Sequence, residues 1–355
     1  MLCRVNQVPR LTTRCYTYKD AGLAQLVRAP ALQAGCRGFK SLTPHHLPFQ
    51  TVPRLIINAD DFGLTHGINR AIAELHRAHS LTSATLMASG PAFADAAAIA
   101  RSHPTLGVGC HVQLVDGFPI SHPDSIPSLL GADGKSFRPS LAEFIFDLLR
   151  GSIREDDILR EAAAQIQLLQ RAGIDVTHLD THKHTHIFPT VARPLLHLAE
   201  RTSIGAIRNP FEPDWAAKLA PAALVRRTEL AVLNRNREAF LALPQIKLGH
   251  VLTTDGTIGI AATGTLTADA ITALTAQIPD GTWELITHPG YNDAALIAHP
   301  TKLRESRDIE RDALLHAIPR IPTTTERIHY GSLGRFGLLR ELGKFQPNTG
   351  HEKVL

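Results

Sequence analysis

Two adjacent carboxylates, Asp60 and Asp61, close the apolar run Leu55-Ile56-Ile57-Asn58-Ala59 and are followed by Phe62-Gly63. Neighbouring acids at the end of a buried strand repel each other and lose hydration, so a cation on one and a proton or water near the other relieves both costs. A helix N-cap pair with Gly63 in the turn would also account for them. Histidine adds a second signal. His111 lies in the small-residue run Gly109-Cys110-His111-Val112-Gln113-Leu114, and four of the 19 histidines, His178, His182, His184 and His186, fall within nine residues. Each buried imidazole needs a hydrogen-bond partner and imidazole is the commonest metal ligand, so packing alone explains such a cluster poorly. His288 stands before Pro289-Gly290 at the end of another apolar run. Asp61 with one histidine from the 109–114 run and one from the cluster makes a two-His, one-carboxylate set with open positions, which is catalytic rather than structural ligation. Asp60 and His288 are the spare groups that could take and return a proton, and the chemistry described is metal-assisted hydrolysis of an amide or ester.

The elements that must bring these residues together are short apolar or β-branched runs alternating with longer helical patterns, the signature of parallel strands joined by crossover helices. Strands are expected at 54–58, 82–88, 107–114, 176–181, 205–209, 247–252 and 284–288, with helices at 68–79, 92–102, 153–172, 191–201 and 268–277. Gly173 follows the 153–172 helix where a stop belongs, and Thr301 is placed as the N-cap of the last helix. The Gly-rich turn of a dinucleotide fold is missing after the first strand, so the expected α/β architecture is an irregular TIM-like (β/α) barrel in one domain, residues 51–340. In such a barrel the strand ends open onto one face, where the four polar clusters can converge.

A chain of 355 residues that is 44% hydrophobic and 20% charged has globular composition and excludes a disordered or collagenous protein. No stretch reaches the roughly 18 uninterrupted apolar residues of a membrane helix, so no membrane span is expected and the expected location is cytoplasmic. The formal charge of +4 sits in residues 1–50, which hold seven of the 37 Lys and Arg and one of the 33 acids. That leaves 30 bases against 32 acids beyond position 50, no electrostatic footprint for nucleic acid. Cysteine divides the same way, since only Cys110 lies beyond residue 50, which excludes a disulfide framework for the body. Residues 1–50 show neither strand alternation nor sustained helical period, and part of them resembles the conceptual translation of a transfer-RNA gene. They are expected to lie outside the fold, as a mis-called start or a disordered arm, and residues 341–355 as a flexible tail.

Taken together, residues 58–64 (Asn-Ala-Asp-Asp-Phe-Gly-Leu), 81–87 (Leu-Thr-Ser-Ala-Thr-Leu-Met), 109–114, 177–186 with Phe188-Pro189, and 284–290 resemble the YdjC-like carbohydrate deacetylases. That family includes chitooligosaccharide deacetylases and relatives associated with hopanoid biosynthesis, and the likeness spans residues 54–335. The resemblance implies an irregular TIM-like barrel that removes the acetyl group from an N-acetylated sugar with one divalent metal, generally magnesium. It implies Asp60 as general base, Asp61, His111 and His182 as metal ligands, His288 as general acid, and Arg208 as a residue that contacts substrate or supports those that do. Cys110 and Lys183 depart from the family pattern without removing a ligand. Two imidazoles suit zinc or manganese better than magnesium by ligand type, so magnesium is expected from the resemblance and zinc stays open. Another barrel metal hydrolase, an esterase or phosphoesterase, is the alternative; a non-catalytic sugar-binding homologue would have lost one of Asp60, Asp61, His111 and His182. Loops 115–140 and 210–245 are expected to shape the pocket without naming a glycan, and exposed helix faces are compatible with a homodimer.

Overall fold

The structure, a computed structural model, describes residues 52–219, 230–231 and 233–334. The expectations for residues 1–50 and 341–355, and for part of the 210–245 loop, lie outside the described residues.

Strand β1, Arg54–Phe62, runs through the middle of the fold with eight of its nine residues buried. Alternation along it separates two environments, as the period of two requires. Leu55, Ile57 and Ala59 join the large core under the helices, whereas Ile56 packs in a smaller cluster with Ala206, Ile328 and Tyr330. Asn58 and Asp60 follow Ile56 in parity, so the polar residues of β1 share the face opposite that large core.

Strands β2 (Ser83–Leu86), β3 (Gly107–Val112), β4 (Val176–Thr181), β5 (Gly256–Ile258) and β6 (Thr282–Thr287) form a parallel sheet with β1 in the order β4-β3-β2-β1-β6-β5. Strand β7, Glu326–Ile328, pairs with the first half of β1, and β2 pairs with the second half. The sheet curls, and single bridges carry the curl beyond β4: Leu179 to Ile207, then Ala206 to Leu252. A hydrogen bond from Thr257 N to Phe211 O, 3.1 Å, ties the same two segments further along. The expected irregular barrel is therefore present, with its far wall reduced to isolated bridges.

Helices α1 (His66–Arg77), α2 (Phe93–Ser102), α3 (Leu141–Leu149), α4 (Glu155–Arg171) and α5 (Pro189–Arg201) cover the sheet or fill the loops between β1 and the far wall. Thr65 caps α1 by accepting from Ile68 N, and α4 carries three acids in its first turn, both favourable at a helix N-terminus. Among the described residues no helix is long and apolar enough to cross a membrane.

Several elements differ from expectation. The segment 247–252 is not a strand: Pro244 starts a helical turn, Pro244–Lys247, Gly249 turns left-handed at φ 74°, and only Leu252 pairs. Residues 205–209 likewise contribute bridges rather than a ladder. Strands β5 and β7 have three residues each, too few to show alternation. The unforeseen helix α3 is announced locally by Ser140 and Glu143: Ser140 Oγ, at the N-cap, accepts from Glu143 N and donates to Glu143 Oε1. The last helix, Glu305–Ala317, has Arg304 rather than Thr301 at its N-cap; Thr301 Oγ1 accepts from Leu303 N in the turn before it.

Candidate active site

The Asp60-Asp61 pair is separated by the backbone. Asp61 takes a left-handed conformation at φ 64°, inside β1, and Gly63 follows at φ 92°. The register to β2 shifts between Ala59 and Phe62, the mark of a bulge. Asn69 of α1 fastens this turn, its Oδ1 accepting from Gly63 N at 2.8 Å while its amide donates to Ala92 O and Asp95. The turn was expected at Gly63; it begins two residues earlier, on the second aspartate itself.

Asp61 Oδ1 meets two histidines. It lies 3.6 Å from His111 Nε2 and 3.4 Å from His182 Nδ1, and those two nitrogens are 3.3 Å apart. Three ligand atoms around one cation at about 2 Å keep a comparable spacing. Each of the first two has a fixed far side. His111 Nδ1 donates to Asp180 at 2.8 and 2.9 Å, which leaves Nε2 for the cluster, and Asp61 Oδ2 accepts from Arg307 Nη2 at 2.5 Å. Burial pushes the His111 imidazole down, but Asp180, helped by Asp60 and Asp61, lifts it to about 9. Burial pushes Asp61 up, and Arg307 with the two histidines overcomes it, holding the carboxyl well below the usual range. Asp61, His111 and His182 therefore fit a divalent cation. Asp60, His111 and Asp180 also lie close enough to hold one. In that second set both acids already face Arg208, whose charge opposes a cation there.

Arg208 is the hub of the buried charges. Its Nε and Nη2 donate to Glu284, Nη1 and Nη2 to Asp60, and Nη1 lies 2.5 Å from Asp180 Oδ2. Every guanidinium nitrogen thus faces an acid, and the side chain is 0% exposed, so its position supports the acids. Asp60 Oδ1 also accepts from Asn58 Nδ2 and Thr85 Oγ1. Burial would raise the Asp60 carboxyl; Arg208, then His111 and His288, bring it well below its ordinary value. Glu284, drawn up by burial against the pull of Arg208, accepts from Tyr330 Oη and Thr257 Oγ1 as well.

His288 closes the site from β6, with Nε2 3.9 Å from Asp60 Oδ2. Burial, against the pull of Asp60 and Asp61, takes its imidazole down to about 4, so it is neutral at pH 7. Glu310 holds the turn beneath it by accepting from His288 N at 2.6 Å, and burial pushes that acid up to about 7.

The histidine cluster divides. His178 stacks on Tyr330 with centroids 3.8 Å apart, and His186 Nδ1 lies 2.7 Å from Thr181 Oγ1 with its ring against Phe240; both are structural. His182 joins Asp61. His184 is held neutral, drawn to about 3 by burial and then by Arg208.

All six residues singled out in the sequence, Asp60, Asp61, His111, His182, Arg208 and His288, come together at one end of the sheet. Four more belong with them. Asp180 and Glu284 stand inside the quoted motifs but drew no role, and Arg307 and Glu310, from a helix far along the chain, had no signal beyond being charged residues in an amphipathic pattern.

A curled parallel sheet whose strand ends hold an Asp-His-His set with buried supporting acids defines a (β/α)-barrel protein with a candidate metal-hydrolase site. Residues 54–320 match the model of the family described as YdjC-like protein, and the chain belongs to that family. A carbohydrate deacetylase of Brevibacillus brevis is 40% identical over 158 residues, covering 44% of this chain and 60% of that protein. The chain thus matches somewhat less than two thirds of that relative's length. A carbohydrate deacetylase of Thermoanaerobacter pseudethanolicus is 25% identical over 263 residues, 73% of this chain and 90% of the relative. The crystal structure of a candidate cellobiose-phosphate cleavage protein from Enterococcus faecalis V583 superposes with a TM-score of 0.63 at 24% identity, covering 79% of this chain and 99% of that one, a likeness of fold.

Proposed function

We propose that this protein is a metal-dependent carbohydrate deacetylase that hydrolyses the N-acetyl group of an N-acetylated sugar. The observation that carries the reading is the Asp61, His111 and His182 triangle beside a separate, ionised Asp60. The YdjC-like membership and the names of its relatives supply the substrate class. A divalent cation held by Asp61, His111 and His182, magnesium by family and zinc by ligand type, would polarise the acyl oxygen and acidify water.

The chain's own groups do the rest. Asp60 accepts the proton of the attacking water at Oδ2, the oxygen that faces His288. Arg208 makes Asp60 a weak base, so the proton moves on. His288 starts neutral and can give the leaving nitrogen a proton only after receiving one, and Asp60 is the donor 3.9 Å from its Nε2. The amide C–N bond breaks, the water oxygen stays in acetate, and the proton ends on the amine. Arg208 is a positioning residue here, keeping Asp60 ionised and aimed.

The test is acetate release across N-acetylglucosamine oligomers and acetylated lipid-linked sugars, with metal analysis of the purified protein. Acetate release that a chelator abolishes and added metal restores is the expected result. Phosphate or alcohol release from phosphoesters or esters, without acetate from any amide, would replace this reading by another metal hydrolase.

A further inference from the structure

Glu284 is a buried acid that the proposed reaction leaves unused, and one of its donors, Tyr330, lies beyond the residues 54–320 that match the family model. Tyr330 follows β7, which pairs with the first half of β1 and sets Ile328 opposite Ile56. It therefore enters the barrel from the end opposite Asp60 and His288, where it packs with Ile56, Ala206, Ile328 and Leu333. Its ring is held on one face by His178, with centroids 3.8 Å apart and planes 14° apart. His178 in turn lies against the backbone of β3, where a Cβ on Gly109 would stand 2.5 Å from the imidazole. The first residue of the 109–114 motif and the first histidine of the cluster thus clamp Tyr330, and its hydroxyl donates to Glu284.

The two oxygens of Glu284 are held differently. Oε1 accepts from Arg208 Nε at 2.9 Å and Nη2 at 2.6 Å. Oε2 has Arg208 Nε at 3.0 Å and Thr257 Oγ1 at 3.2 Å, but the single Thr257 proton has a closer acceptor in Asn209 O at 2.6 Å. Tyr330 is therefore the firmest donor to Oε2. Glu284 grips one edge of the Arg208 guanidinium, and from that same plane Nη2 donates to Asp60 Oδ1 at 2.7 Å and Nη1 to Oδ2 at 2.9 Å. Because the fork is planar and rigid, a carboxylate that swings at one edge turns the donors aimed at Asp60. We propose that Tyr330 is a positioning residue for the hydrolysis: its hydroxyl fixes Glu284, Glu284 orients Arg208, and Arg208 aims Asp60 at the attacking water. This rests on the deacetylase reading above.

The experiment compares metal-loaded wild type with Tyr330→Phe, which keeps the stacked ring and removes the hydroxyl, and with Leu333→Ala, which loosens the same apolar cluster and keeps the hydroxyl. Tyr330→Phe should lower kcat for acetate release by roughly 10–100-fold, the usual cost of losing a hydrogen bond behind a working side chain, with KM and bound metal unchanged. Leu333→Ala should melt earlier and keep kcat within twofold of wild type. Glu284→Gln should lower kcat in the same way, and adding Tyr330→Phe to it should cost little more, because the two act through one carboxylate. A kcat within twofold of wild type for Tyr330→Phe, a loss confined to KM, a parallel loss of metal, an equal kcat loss in Leu333→Ala, or full multiplication of the two losses in the double variant would overturn the proposal. Should Tyr330→Phe not fold, Glu284→Gln decides: a lowered kcat with metal and KM retained is expected, and a kcat within twofold of wild type contradicts it. Wild type releasing no acetate from any N-acetylated sugar would instead sink the deacetylase reading itself.

Discussion

Asp60 and Asp61 are consecutive in β1, yet their carboxylates meet different partners: Asp60 pairs with Arg208 at 2.7 and 2.9 Å, and Asp61 with Arg307 at 2.5 Å. Extended neighbours point to opposite faces of a sheet. The left-handed conformation of Asp61 turns the second carboxylate back toward the strand ends, where His111 and His182 stand. One positive φ therefore lets two identical, adjacent residues face two different sets of partners.

His182→Ala should strip most of the bound metal, while His186→Ala should keep it. His186 spends Nδ1 on Thr181 and packs against Phe240, so its loss costs stability instead, on the order of 2–4 kcal/mol for a large buried side chain. Metal analysis beside thermal melting checks both. Equal metal loss in the two variants would show that the ligand was wrongly chosen.

Metal binding should release a proton. With the imidazole of His111 lifted to about 9 by Asp180 and its neighbours, it is charged at pH 7 in the metal-free protein and must lose that proton to bind a cation. Affinity is thus expected to rise as pH rises, about tenfold per unit below pH 9 if His111 alone titrates. Calorimetry in buffers of different ionisation enthalpy measures the proton count. No proton release between pH 7 and 8 would place the metal elsewhere.

Arg208→Met should destabilise the fold strongly. It leaves Asp60, Asp180 and Glu284 buried without the cation they share, and breaking a buried pair by removing one partner typically costs about 3–5 kcal/mol. Arg208→Lys should rescue little, since one ammonium cannot replace a planar fork that meets three acids. Denaturant unfolding of the metal-free proteins gives the number, and a loss below about 1 kcal/mol would contradict the hub described for Arg208.

The site was legible where chemistry stands at the end of an apolar run. Asp60, Asp61 and His288 close such runs and His111 lies one residue before the end of its strand, and strand parity with one turn brings them together. Only the family motif singles His182 out of four histidines; in the structure it is the one of the four that stands beside Asp61. Arg208 was found, but not its use, because nothing local announces that three acids from β1, β4 and β6 converge on it. Arg307 was illegible for the same reason taken further: it reaches Asp61 across 246 positions, from a helix whose pattern reads as ordinary surface and core. The far wall of the barrel reads as full strands because 205–209 and 247–252 carry short apolar pairs, Ala206-Ile207 and Val251-Leu252, while Pro244 and Gly249 govern the backbone of the second.

The most direct test of the central claim is metal stoichiometry measured beside acetate release for Asp60→Asn and Asp61→Asn. Asp61→Asn removes a charged ligand and should lose both metal and activity. Asp60→Asn should keep its metal and lose roughly 10²–10⁴-fold in rate, the usual contribution of a positioned base. Asp60→Asn losing metal while Asp61→Asn retains it would reverse the two roles, and full metal with full activity in both variants would contradict the site altogether.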